Sequence, residues 1–278
     1  MRERLALIAA ALVWSTGGAA IKVCGMTGWQ IACGRSLVAA IFLALAFREA
    51  RVRPTAKLLL VGLAYAGTVV LFVLANKLGT AANAIFLQDT APLYVLVLSP
   101  WLVGERPTRG ELVAAPVYFL GLMLFFLDEL SPGQLLGNVI ALASGVSFAL
   151  MIMGLRRQGD GGLGSVVWGN VIAAAIGLPF ALAGPAPAAM DWAALAYLGV
   201  VQLGLGYAFF SRGIRGVPAV EASLIILLEP VLNPVWAFFI AGERPGRWAI
   251  AGGAVILAAT LWRTVQPWLW ARRAAPLV

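Results

Sequence analysis

Residues 227–245 read LLEPVLNPVWAFFIAGERP. Glu229, Pro230 and Pro234 sit inside an apolar run that ends on a charged tetrapeptide, Gly242-Glu243-Arg244-Pro245. The same tetrapeptide, Gly104-Glu105-Arg106-Pro107, closes residues 89–107, DTAPLYVLVLSPWLVGERP, 138 positions earlier. At that offset Pro92 falls on Pro230, Asn83 on Glu221 and Ala84 on Ala222. Nearer the N-terminus the match is looser: Val13-Trp14 meets Ser147-Phe148 at an offset of about 134. The chain reads as two copies of one unit, residues 1–131 and 132–278.

Both copies belong in lipid. The chain is 62% hydrophobic, carries 12% charged residues and has a mean hydropathy of +0.92, whereas a soluble domain carries about 25% charged residues. Apolar runs near the length of a bilayer crossing fall at about 5–22, 28–47, 57–75, 81–103, 110–127, 134–155, 164–183, 192–211, 218–240 and 247–265. The first follows Arg2 and Arg4 as a signal peptide would, but similar runs recur along the chain, so it reads as an uncleaved span. The expected fold is an all-α integral membrane protein of ten transmembrane helices. Five crossings per copy is an odd number, so the second copy enters from the opposite side. The helices then form two inverted five-helix repeats around a central cavity, an arrangement found in secondary transporters.

Charge placement orients the chain. With the N-terminus inside, fifteen Lys and Arg residues lie in inside segments, and four (Lys22, Lys77, Arg244 and Arg247) lie outside. The excess predicts cytoplasmic termini in a multi-pass protein of the inner membrane. The net charge of +8 comes from these short links, so it marks orientation and not a nucleic-acid partner. Histidine is absent, which removes His metal sites and Ser-His or Cys-His nucleophiles. Cys24 and Cys33 make no disulfide framework. No phosphate-binding G-x-x-x-x-G-K-[ST] pattern occurs, and no cofactor is expected. The repeated tetrapeptide reads as a turn device, with glycine ending one helix and proline opening the next. In the first copy Thr108 and Glu111 add a capping-box pattern.

Two five-span halves, a proline in the fourth and ninth spans, and a Gly-Glu closing each resemble the drug/metabolite transporter superfamily, specifically two EamA-type repeats. The Glu-Pro of residues 229–230, followed about a dozen residues later by Gly-Glu, is the most specific piece, and GRSLVAA at 34–40 resembles the family's second span with its arginine. The overall look is similar to YddG-type exporters of aromatic and other amino acids. The resemblance implies export of amino acids or related small metabolites. Ala91 stands where the second half carries Glu229, a departure from symmetry.

Three ionisable residues, Arg35, Asp89 and Glu229, lie deep inside spans. Each costs on the order of 3 kcal/mol at a helix centre, so each faces protein or water. They read either as a substrate or proton site or as buried pairs. On an unbroken fourth helix Asn83, Thr90, Tyr94 and Trp101 share one face within about 40°, and Gln88 and Asp89 point elsewhere. Glu229, Asn233 and Trp236 share a face of the ninth. Trp14 with Ser15 and Thr16, Trp168 with Asn170, and Gln202 with Tyr207 place further polar atoms in apolar runs. The substrate-binding candidates are therefore Trp14, Asn83, Gln88, Tyr94, Trp101, Trp168, Asn170, Gln202, Tyr207, Asn233 and Trp236, with Pro92, Pro230 and Pro234 as hinges. Gly133, Gly137, Ala141, Gly145 and Ala149 run at four-residue spacing, a smooth strip for close helix packing.

The expected function is a secondary transporter exporting a small metabolite by alternating access, with membrane lipid as its surroundings and no enzymatic activity. The rivals are a broad exporter of toxic organic cations, an organic-phosphate or nucleotide-sugar exchanger, an intramembrane enzyme, and a non-transporting scaffold or scramblase. Orientation is directly testable. A cysteine placed in the link 128–133 is expected to react with an impermeant reagent from outside, and one beside Arg157 is not; the reverse pattern refutes the inverted repeat.

Overall fold

The computed structural model describes residues 1–79, 81–127, 135–160, 162–241 and 246–274. Side chains are described throughout except at 81–83, 125–126, 233–234, 237–241, 249 and 263–274. Asn83, Asn233 and Pro234 fall among these exceptions, and the second Gly-Glu-Arg-Pro falls outside the described residues. Every regular element described is helical. Seven stretches are long and apolar enough to cross a membrane: Arg2–Val23, Gly28–Ala46, Ala56–Leu78, Ala84–Leu102, Leu135–Gln158, Leu163–Leu182 and Ala189–Ile214. Large apolar side chains such as Leu60, Val113, Leu136 and Leu182 are exposed on the outside, as a surface facing lipid tails requires.

Several runs that look continuous in sequence are broken in the structure. The first splits into α1 (Arg2–Trp14) and α2 (Gly17–Val23). At the break the Ser15 and Thr16 hydroxyls donate to the carbonyls of Leu12 and Val13, at 2.7 Å each, and such back-bonding competes with the helical ladder. Helix α3 (Gly28–Ala46) starts from a capping box of Thr27 and Gln30, and α4 (Ala56–Leu78) from Thr55. The fourth run divides into α5 (Ala81–Gln88) and α6 (Ala91–Leu102). Pro92 has no N–H for the Gln88 carbonyl, and the Thr90 hydroxyl takes the carbonyl of Leu87 at 2.7 Å.

Helix α7 (Arg109–Phe126) begins with the expected capping box, Thr108 and Glu111 each bonding the other's backbone N–H. Helices α8 (Leu135–Gln158) and α9 (Leu163–Leu182) follow. The eighth run is α10 (Ala189–Tyr197), a π-helical segment (Leu198–Leu205) and α11 (Gly206–Ile214). The ninth breaks at Leu227, between α12 (Ala219–Ile226) and α13 (Leu228–Ala241), and α14 (Arg247–Ala274) closes the chain.

Helix α4 packs on α8 and α9, α3 on α9 and the π segment, α1 on α11 and α12, α6 on α8 and α12, and α7 on α14. Small residues set these distances. A side chain at Gly62 would meet the Gly169 backbone at 3.1 Å, and one at Gly169 the Gly62 carbonyl at 2.7 Å. On α8 a methyl at Gly145 would stand 2.9 Å from the Leu87 carbonyl and 3.0 Å from that of Gln88. The strip of small residues thus seats α8 against the α5–α6 break, with Ala141 and Ala149 buried along it.

The first Gly-Glu-Arg-Pro does more than turn the chain. Gly104, at φ +78°, ends α6 in left-handed geometry. Glu105 then crosses to the other half of the sequence, accepting from Arg156 Nε at 2.6 Å and from the backbone N–H of Ala219, at the start of α12, at 2.9 Å. Arg156 also donates to the carbonyls of Ile214 and Arg215. Removing either partner leaves the other with backbone bonds alone, so Glu105→Ala and Arg156→Ala are each expected to lower the thermal unfolding temperature. The double variant should lose less than the two together, with a coupling of roughly 1 kcal/mol. Additive losses would show that the pair does not hold the halves.

Candidate functional site: a cavity at the helix breaks

Between the broken helices lies a small, partly open cavity. Trp14 of α1, Arg35 of α3, Gln88 of α5, Gln202 of the π segment, Tyr207 of α11 and Glu229 of α13 line it, together with Thr68, Val69 and Phe72 of α4, Phe148 of α8 and Leu203. The helix breaks and the π segment deliver most of the polar groups. Where a helical ladder is interrupted, backbone and side-chain polar atoms turn toward one another or toward a ligand.

Arg35 is buried, with 1% of its surface exposed. Its Nη2 donates to the Val69 carbonyl at 2.8 Å and its Nη1 to Gln202 Oε1 at 3.3 Å. Its Nε has no partner. No carboxylate among the described residues pairs with it; the ion pairs are Arg4–Glu221, Glu105–Arg156, Glu49–Arg215 and the N-terminal amine with Glu3. The pairing of Arg35 with Glu229 that the sequence left open is therefore not made, although both line the same cavity. Glu229 is buried without an ion-pair or hydrogen-bond partner among the described residues, within electrostatic range of buried Asp89, whose Oδ2 has no partner.

The aromatic floor is built around Trp14. Its ring centroid lies 4.6 Å from that of Tyr207, 5.3 Å from Phe210 and 6.0 Å from Phe148. Its Nε1 is buried and unpartnered. Trp14 and Phe148, which align between the two copies, meet here edge to face.

The other sequence candidates lie elsewhere. Trp101 is 74% exposed. Tyr94 packs against the buried core and does not line the cavity. Trp168 donates to the Val52 carbonyl in the link after α3, and Trp236 donates to Ser15 Oγ at the α1–α2 break. Asn170 donates to Tyr65 Oη at 2.8 Å and to the Val166 carbonyl of its own helix at 3.0 Å. Pro92 and Pro230 stand one residue inside α6 and two inside α13, at the breaks. Gln88, which an unbroken helix turns away from the Asn83–Trp101 face, reaches the cavity because the helix ends at that residue. Thr68, Val69, Phe72 and Leu203 carried no signal, being ordinary residues of apolar runs; Phe148 had one, its alignment with Trp14.

A family model described as the EamA-like transporter family matches residues 1–127 and again 133–264. The chain belongs to this family. An uncharacterized transporter of Archaeoglobus fulgidus is 30% identical over 207 residues, 70% of this chain and 72% of that protein. The threonine/homoserine exporter RhtA of Salmonella typhimurium (strain LT2) is 26% identical over 245 residues, 87% of this chain and 81% of that protein. RhtA of Escherichia coli (strain K12) is 24% identical over the same shares. A chain in a solved crystal structure superposes with a TM-score of 0.79 at 19% identity, covering 95% of this chain and 97% of that one. The protein is thus a multi-pass membrane protein with a transporter's fold.

Two glycines frame the site differently. An added methyl at Gly206 would run into the indole of Trp14, which Phe148, Tyr207 and Phe210 box in. At Gly17 it would meet Gln202 Nε2 at 2.7 Å, the end of a flexible side chain. Gly206→Ala is therefore expected to destabilise by about 1–3 kcal/mol, whereas Gly17→Ala, which shifts Gln202 away from Arg35 but meets no boxed-in ring, is expected to cost less, about 1 kcal/mol. Thermal unfolding in detergent distinguishes them, and equal effects would mean that the floor is soft.

Proposed function

We propose that the protein exports zwitterionic amino acids across the inner membrane by alternating access. One observation carries this reading: buried Arg35 and Glu229 line a single cavity without pairing with each other. A free cation and a free acid in one small cavity complement a solute with a carboxylate and an ammonium. The solute carboxylate faces the guanidinium, whose planar fork suits it. The ammonium faces Glu229. The threonine and homoserine in the name of the RhtA relatives are small solutes of this kind. A toxic-cation exporter is disfavoured by the buried arginine, and a phosphate exchanger by the acid.

Ten crossings arise when α7, α12 with α13, and α14 join the seven long apolar stretches. Packing supports inverted repeats divided at 131–132. Exchanging the halves turns the contact of α1 with α11 into that of α8 with α4, the contact of α3 with the π segment into that of α9 with α4, and the contact of α6 with α12 into that of α13 with α5, while α7 with α14 maps onto itself. With both termini cytoplasmic, the pairs Arg4–Glu221, Glu105–Arg156 and Glu49–Arg215 all bridge the halves on the cytoplasmic side. Opening that side breaks them. The driving force is the solute's own gradient or a coupled ion.

Purified protein in proteoliposomes is expected to show saturable uptake of labelled threonine. Threonine methyl ester and N-acetylthreonine, each lacking one charge, should compete at least tenfold more weakly, since each leaves one buried group unmatched. No saturable flux, or competition by both analogues as strong as by threonine, refutes the reading.

A further inference from the structure

Gln88 is held in one orientation by a relay that crosses three helices. Its Nε2 donates to Ser144 Oγ of α8 at 2.6 Å, and Ser144 Oγ donates in turn to the Thr68 carbonyl of α4 at 3.0 Å. A backbone carbonyl can only accept, so the one hydroxyl hydrogen of Ser144 is committed to Thr68. Ser144 is then left with lone pairs for Gln88, and only the NH₂ end of the amide can face it. Turning the amide over would set oxygen against oxygen in a buried position; Ser144 is 0% exposed and Gln88 8%. The chemistry of the network thus settles an orientation that the shape of an amide leaves open.

The consequence lies at the cavity. Gln88 is part of its wall, and Oε1 is the open edge of the amide, without a hydrogen-bond partner among the described residues. The wall therefore holds a fixed, neutral acceptor in addition to its charged groups. The opposite polarity is set at Gln202, whose Oε1 is engaged by Arg35, so that its NH₂ is the free end.

We propose that Gln88 is a specificity-determining residue, its Oε1 accepting the side-chain hydroxyl of the transported solute. This rests on the amino-acid reading above. A carboxylate offers no donor to Oε1, and the ammonium is matched by Glu229. The ammonium's three N–H are drawn to the acid, and the side-chain hydroxyl is the further, neutral donor whose presence differs between small amino acids. A solute of the same shape with a methyl in place of the hydroxyl fills the space and leaves Oε1 dry and unpaired, a cost large enough to discriminate. The cavity's small volume and the rings of Trp14, Phe72 and Phe148 keep the solute body short.

Threonine and valine differ by this one substitution, and their competition for labelled-threonine uptake into proteoliposomes reads the effect. Wild type is expected to favour threonine over valine roughly tenfold. Gln88→Met, similar in length but without a strong acceptor, should bring the ratio near one. Ser144→Ala, which unpins the amide while keeping Gln88, should narrow the ratio to an intermediate value. A ratio that stays at its wild-type value in Gln88→Met, or the absence of any preference in the wild type, overturns the role of Gln88 while leaving amino-acid export standing. If Gln88→Met does not fold, Ser144→Ala decides: an unchanged ratio there overturns the role of Gln88. Absence of saturable amino-acid uptake by the wild type overturns both readings.

Discussion

A guanidinium buried among transmembrane helices demands more acceptors than a regular helix bundle can supply. Arg35 has five N–H donors and finds a backbone carbonyl at Val69 and an amide oxygen at Gln202, with Nε left over. Much of the surrounding structure follows from that shortage. The π segment turns Gln202 toward Arg35, and α4 supplies the carbonyl. An arginine so held is under-satisfied without being paired, and a carboxylate brought to it gains what the bundle withholds. A structural salt bridge would have filled the same space and closed the site.

The breaks in the helices answer a related problem. An unbroken apolar helix presents no backbone to a cavity, since every carbonyl is used within it. Pro92 and Pro230 interrupt the ladder at corresponding places in the two copies, and the residues beside them, Gln88 and Asp89 in one and Glu229 in the other, are the ones buried at or near the cavity. Glycine makes the interruption tolerable. Gly145 lets α8 lie directly against the carbonyls at the first break, and Gly206 leaves room for the Trp14 indole. Polarity at mid-membrane is thus confined to a small volume closed by close-packed backbone.

The first Gly-Glu-Arg-Pro ties the two halves of the sequence together. Gly104 terminates α6, and Glu105 joins Arg156 and the first N–H of α12. These bonds are polar and partly exposed, so water can exchange with them. The contact of α7 with α14 instead carries a buried link, Tyr118 Oη donating to Thr260 Oγ1 at 3.0 Å.

Composition, the spacing of apolar runs and the internal repeat determined that the chain is a helical membrane protein built twice over, because lipid leaves a backbone few choices and those choices are written in hydropathy. The repeat also singled out Glu229 and Pro230, and Arg35 announced itself as a charge inside a span. Which polar residues share a cavity was legible only in part. Trp14, Gln202 and Tyr207 belong to it, while Tyr94 and Trp101, on the predicted stripe, do not. The error has one physical source: a helical phase of about 100° per residue holds only while the ladder is intact, and this ladder stops at Gln88. Breaks at Ser15–Thr16, Leu198–Leu205 and Leu227 reset the phase in the same way. The pairing of Arg35, the orientation of the Gln88 amide and the room for Trp14 depend on groups from helices distant in sequence. Sequence placed the charges and prolines; packing alone decided which of them stayed unpaired.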